Sequence, residues 1–304
     1  VSIRLYPHND LAAAEIIDEM CSQARLALEN GFDGVMTSEH HGGFAGYLSQ
    51  PLQMASFILE MTDLGWAAPA PLLLPIRSTT LVAEEVAWLS ARHRGRVGLG
   101  VAAGALPRDF HIAGVDPADA VKSFKAELPK IVAMLRGEGL GEVVDDPALL
   151  ACRADPVPVL SAAMSVAAAS RAAQCGAGIL LEGMSDPARI AQLCRAFDEA
   201  DGRGSKVLIR RVWLGDPKDE LIGRQRQIYD GFSRSSELFG SDQTLVAAEP
   251  RELAERALEA VAMTGVDALN LRVHLPGMSP GEVRDQIEVL GSGVVPMIQA
   301  SWPG

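Results

Sequence analysis

The chain has 304 residues, of which 48% are apolar and 22% charged, and its net charge is −12. That apolar share supplies a large core and excludes a disordered chain. The acidic balance argues against a nucleic-acid partner, which needs a basic stripe to neutralise phosphates.

Short apolar runs alternate with longer amphipathic ones. In chain order the strand-like runs are "SIRLY" (2–6), "FDGVMTS" (32–38), "APLLL" (70–74), "RVGLGVAA" (96–103), "VPVLSA" (157–162), "GILLEG" (178–183), "KVLIRRVWL" (206–214) and "DALNLRVHL" (267–275). They are mostly continuous and apolar, as parallel strands buried on both faces must be. Between them lie stretches with apolar residues at i, i+3 and i+4. The first is "LAAAEIIDEMCSQARLALEN", which Gly31 terminates, and the last is "SPGEVRDQIEVL". Pro51 opens one helix, and Pro129 predicts a kink or break in another. Eight strands alternating with eight helical units predict an α/β fold, a (β/α)8 TIM barrel, with a doubly wound open sheet as the rival. The chain reads as one domain over 1–304. The polar stretch 215–249 after the seventh strand is an insertion, read either as a lid over the barrel mouth or as a peripheral segment.

Cys21, Cys152, Cys175 and Cys194 lack CxxC spacing and read as reduced core residues. The first ten residues do not have the pattern of a signal peptide, and no apolar run reaches the length of a membrane span. A cytoplasmic protein without a membrane partner is the expectation.

In such barrels the active site lies at the carboxyl ends of the strands. Strand one ends in "PHND", which places His8 and Asn9 at the mouth. Strand two ends in Ser38-Glu39-His40-His41. Side chains alternate along a strand, so one of Glu39 and His40 faces the axis and the other the helices. A histidine there is either an acid–base group or a hydrogen-bonding partner of a neighbouring loop. Adjacent histidines lack the i, i+4 spacing of a helical zinc pair, so no metal is expected. Prolines at 69, 71 and 75 argue against regular pairing in strand three. "GLGVAAG" (98–104) has GxGxxxG spacing and is followed by "ALPRDF", which reads as something other than a helix start, so a dinucleotide fingerprint is rejected. Its small residues either leave room for a flat ligand or serve packing. After strand five, Ser165 caps the helix "VAAASRAAQCG", whose first amides would suit a phosphate.

Together, "SEHHGGFAGYLSQPL" (38–52), "LLLPIRSTTLVAEEVAWLSARHRGRVGLGVAAG" (72–104) and "FHIAGVD" (110–116) resemble the bacterial luciferase-like flavin monooxygenases. The resemblance implies a barrel that binds reduced FMN or, in a sister branch, the deazaflavin coenzyme F420. It implies a catalytic acid–base role for His40, with Glu39 beside it. It also implies a cis peptide at Ala70-Pro71, with Ala68-Pro69 as the fallback. Ala70, Pro71, Ala102 and Ala103 would border the flavin ring, and Ala162, Ala163 and Ser165 the phosphate. Two departures stand out. Luciferases carry a cysteine and a phosphate-reaching arginine where this chain has Ala102 and Ala103, and the usual proline after the L-P motif is Thr79 here. The expected function is a monooxygenase that takes reduced FMN, supplied by a separate flavin reductase, and molecular oxygen to a small organic substrate. An F420-dependent hydride-transfer enzyme and a non-catalytic partner subunit are the alternatives, and a homodimer is expected.

Overall fold

Every anticipated strand-like run contributes a strand, and every pairing in the sheet is parallel. The structure, a computed structural model, describes residues 1–216, 218–232 and 243–302. Its strands are β1 (Ser2–Arg4), β2 (Gly34–Thr37), β3 (Trp66–Pro69), β4 (Leu72–Leu73), β5 (Leu99–Ala102), β6 (Val159–Ala162), β7 (Gly178–Leu181), β8 (Lys206–Leu214), β9 (Leu245–Ala247) and β10 (Ala268–Arg272). The helices are α1 (Ala13–Glu29), α2 (Pro51–Met61), α3 (Thr79–Arg92), α4 (Pro107–Ala113), α5 (Ala120–Met134) and α6 (Pro147–Ala151). They continue with α7 (Val166–Gln174), α8 (Pro187–Glu199), α9 (Asp219–Phe232), α10 (Pro250–Thr264), α11 (Pro280–Val289) and α12 (Val295–Ala300).

The sheet order is β3-β2-β1-β10-β8-β7-β6-β5-β4. Its two ends belong to one stretch of chain, 66–73, so the sheet closes into the barrel and the open-sheet rival is excluded. The third barrel strand is broken in two. Its first half pairs with β2 and its second with β5, and the break is the cis peptide Ala70-Pro71, at the position the resemblance implied. Prolines 69, 71 and 75 thus fall at a strand end, in the break and in a short 3-10 turn, none in the middle of a ladder.

Two layers of apolar packing result. The larger lies between strands and helices and includes Met20, Cys21, Ala24, Ala27 and Leu28 of α1, spaced by three and four residues. The smaller plugs the lower barrel with Met36, Ala68, Ala70, Leu180 and Val207. Gly98 and Gly100 turn towards this plug. A β-carbon on Gly100 would come within 2.6 Å of the Ala70 β-carbon. These two glycines therefore serve packing, making room for the neighbouring strand, while the residues after them open onto a cavity.

Two expectations need correction and one strand is new. Pro129 does not break its helix, which runs on over Ala120–Met134. Pro129 is exposed, and on the solvent side the carbonyl it leaves without a donor can turn to water. The segment "ALPRDF" does hold a helix start, because α4 begins at Pro107, a residue suited to a first turn. Strand β9, in parallel with the end of β8, was not anticipated. The insertion 215–249 is described only in part, as α9 and β9, and positions 217 and 233–242 lie outside the described residues. Cys21, Cys152 and Cys194 are buried and Cys175 half-buried, all four free. Burial pushes their thiols up, that of Cys194 to about 11.

Candidate active site

Residues in register on parallel neighbours face the same way, so the inward positions of the strands build the site in layers. In the lowest polar layer Asn270 donates from Nδ2 to Ser2 Oγ at 2.8 Å and accepts from Arg4 Nε at 2.9 Å. The Arg4 guanidinium also donates to Ser38 Oγ and to the Ala70 carbonyl. Arg4, Arg272 and Arg211 are register partners on β1, β10 and β8. Arg272 lies 4.1 Å from the Tyr6 ring centroid.

Above this layer a cavity of about 550 Å³ opens at the carboxyl ends of the strands. Pro71, Ala102, Ala103, Gly104, Ala162 and Ala163 form its small-residue side, and Tyr6, His40 and Tyr47 its aromatic side. Arg4, Lys125, Arg171, Arg211 and Arg272 also line it. The carboxylates among the described lining residues are Glu39 and Glu182. Glu182 is engaged locally, accepting from the Met184 N–H at 2.6 Å and from the Ser185 hydroxyl.

His40 stands at the mouth with its side chain 16% exposed. Its Nδ1 lies 2.7 Å from Oδ2 of Asp109 on α4, a carboxylate only 1% exposed. The second oxygen, Oδ1, accepts from the His41 backbone N–H at 2.8 Å. The ring packs edge-on to Tyr47, centroids 4.5 Å apart, and tilted against Phe44. A carboxylate on Nδ1 makes that nitrogen the donor and leaves Nε2 as the acceptor. The dyad can thus take up a proton at the cavity and hold the resulting imidazolium.

Glu39 stands beside His40 in sequence but is turned to a different set of partners. Its side chain is fully buried, with Oε1 accepting from Arg77 Nε at 3.0 Å and from Arg77 Nη2. The same oxygen lies 3.0 Å from His41 Nε2, while Oε2 accepts from the Leu73 N–H. It ties the end of β2, next to His40, to the Leu73 amide of β4. Ala70, expected to border the flavin ring, does not line the cavity. It is fully buried beneath the cavity, in the lower plug, while Pro71, Ala102, Ala103, Ala162, Ala163 and Ser165 all line the cavity. Ser165 caps α7, its Oγ accepting from the Ala168 N–H at 3.2 Å. His8 and Asn9 border a separate cavity of about 220 Å³. There His8 spans Gln23 and the Met278 carbonyl. Burial lowers the neighbouring His274 well below the ordinary histidine value, which keeps it neutral. No group of three or more His, Cys, Asp or Glu side chains among the described residues could hold a metal.

Sequence reasoning missed Asp109, Tyr6 and Tyr47. The signal for Asp109 was present in "LPRDF", where a proline and a first-turn acid mark a helix start.

The family model described as luciferase-like monooxygenase matches residues 3–295. A curated relative, 4-hydroxyprotoasukamycin monooxygenase of Streptomyces nodosus subsp. asukaensis, is 30% identical over 129 residues. That match covers 42% of this chain and 32% of the relative's length. The fold is similar to that of the oxygenating constituent of 3,6-diketocamphane monooxygenase from Pseudomonas putida, solved in complex with FMN. The TM-score is 0.76 at 17% identity over 98% of both chains. It is similar too to an F420-dependent secondary alcohol dehydrogenase solved with an F420-acetone adduct, at a TM-score of 0.72 and 15% identity over 98% of both chains.

Proposed function

The chain belongs to the luciferase-like monooxygenase family, and on that premise we propose that it is a flavin-dependent monooxygenase acting on a small organic substrate with reduced FMN and molecular oxygen. The observation that carries this reading is the His40–Asp109 dyad, which faces a cavity large enough for a cofactor. Cofactor sites run from about 300 to 1,000 Å³ and are mostly apolar with a few placed polar groups. The residues present fit a flavin: small side chains at Pro71, Ala102, Ala103, Ala162 and Ala163 leave space for a flat ring, and cations line the same cavity.

When bound, reduced FMN would supply the two electrons that activate oxygen. This chain's own residues bind, orient and move protons. His40 exchanges a proton at Nε2, on the cavity side, while Asp109 holds the ring and stabilises its charged form. Glu39, tied to Arg77 and the Leu73 amide, keeps the strand end that carries His40 in place. Tyr6, Tyr47 and Phe44 narrow the mouth beside the imidazole and limit water access. A separate flavin reductase would deliver the cofactor. A second copy of the chain would cover Met61 and Leu64 near the end of α2 and Leu81 and Trp88 on α3, all about half exposed.

The test is anaerobic calorimetry with reduced FMN and, separately, reduced coenzyme F420. Saturable binding of FMN with little F420 binding is expected. Binding of F420 alone would replace this reading with hydride transfer on the same barrel, and binding of neither would replace it with a non-catalytic subunit.

A further inference from the structure

The end of β5, where a luciferase-like chain is expected to carry a phosphate-reaching arginine, holds Ala102 and Ala103, so the charge that would hold a phosphate has to come from elsewhere. We propose that Arg171 on α7, supported by Lys125 on α5, is the phosphate anchor of this site. The inference rests on the flavin reading above.

One face of α7, Ala167, Ala168 and Arg171, is turned to the cavity at spacings of three and four residues. Helical side chains lean towards the N-terminus, and the first turn of α7 borders the same cavity as Arg171. There the N–H groups of Val166 and Ala167 have no intrahelical carbonyl to donate to. Ser165, the cap, is committed to the Ala168 N–H.

The state of Arg171 itself points to a ligand. Its Nε is closed off from solvent and meets no hydrogen-bond partner among the described residues. An ordinary surface arginine keeps its head solvated, and a structural one finds a carbonyl or carboxylate. Arg171 does neither at this atom, although it borders a cavity. Lys125 lines the same cavity. The two lining carboxylates, Glu39 and Glu182, are already engaged by Arg77 and by the 184–185 turn. A phosphomonoester dianion would meet a planar fork, an ammonium and two free helix amides, and a fork holds phosphate bidentately.

The position also separates this seat from the Arg4–Arg272–Arg211 row. In the sheet β6, which leads into α7, is two strands from β8, the nearest strand of that row, about 10 Å around the barrel at the usual strand spacing. The flavin ring and its side chain would span the gap, with the phosphate at α7.

The experiment compares reduced FMN with reduced riboflavin, which lacks the phosphate, by anaerobic calorimetry on the full chain and on Arg171→Gln. The unmodified protein is expected to prefer FMN. Arg171→Gln should lose about 30-fold in FMN affinity and leave riboflavin affinity unchanged. Inorganic phosphate should compete with FMN in the unmodified protein and much less in the variant. Arg171→Lys, which keeps the charge without the fork, should fall between the two. It also serves as the probe if Arg171→Gln does not fold. Equal weakening of both flavins, or no weakening of either, overturns the anchor. Binding of neither flavin to the unmodified protein overturns the flavin reading itself, and the anchor with it.

Discussion

His40 acquires its direction from Asp109, 69 residues away in sequence. Removing the imidazole should lower turnover by about 10²- to 10⁴-fold, the usual worth of a positioned acid–base group. Asp109→Asn should also lower kcat, because an amide facing Nδ1 no longer selects the productive tautomer. Both variants should bind reduced FMN as the unmodified chain does. Steady-state kinetics beside calorimetry checks the pair, and unchanged kcat in His40→Ala would remove the proton role. At this scale the sequence was partly legible. The family resemblance carried by E-H-H singled out His40, but alternation could not say where the Glu39 carboxylate would go. Its destination depends on Arg77 and the Leu73 amide, which only the closed barrel brings to it. Asp109 was passed over because a seven-residue helix is too short to show a period, so that only its proline and first-turn acid announced it.

Among the helices, α11 shows how a terminus can hold more than itself. Ser279 and Glu282 form a capping box, and Glu282 Oε1 accepts from Lys218 at 2.6 Å, next to α9. The Lys218 ammonium first, then the Ser279 backbone and hydroxyl, hold the Glu282 carboxyl down at about 2. A carboxyl depressed in the fold stabilises fully above its unfolded value, near 4.5, and that contribution is lost as pH falls towards about 2. The pair is substantially exposed, so salt should weaken it. Glu282→Gln should therefore be less stable than the unmodified chain at pH 7, with the difference closing as pH falls to about 2, as urea midpoints would show. Equal differences at both ends of that range would refute the linkage. The capped helices were readable because Ser, Asp and Pro announce their starts. The outcome at Pro129 was not, since the tolerance of a helix for proline depends on which face meets water.

Over the whole molecule the alternation of apolar runs was enough to fix the barrel, because parallel strands buried on both faces leave few other solutions. The split of strand three was legible from its prolines together with the family pattern, whereas β9 was not, being a three-residue strand inside a polar insertion. The cations at the heart of an acidic protein carry a kinetic consequence. A chain of net charge −12 repels a dianion from afar, while Arg4, Lys125, Arg171, Arg211 and Arg272 draw it in once it reaches the mouth. Far repulsion is screened over a Debye length of about 30 Å at 10 mM salt and about 8 Å at 150 mM, and short-range attraction inside the cavity is screened less. Raising salt across that range should therefore speed the capture of reduced FMN and leave that of uncharged reduced riboflavin unchanged, as anaerobic stopped-flow would record. A slower FMN capture with salt would mean that the interior field reaches beyond the rim and governs the approach.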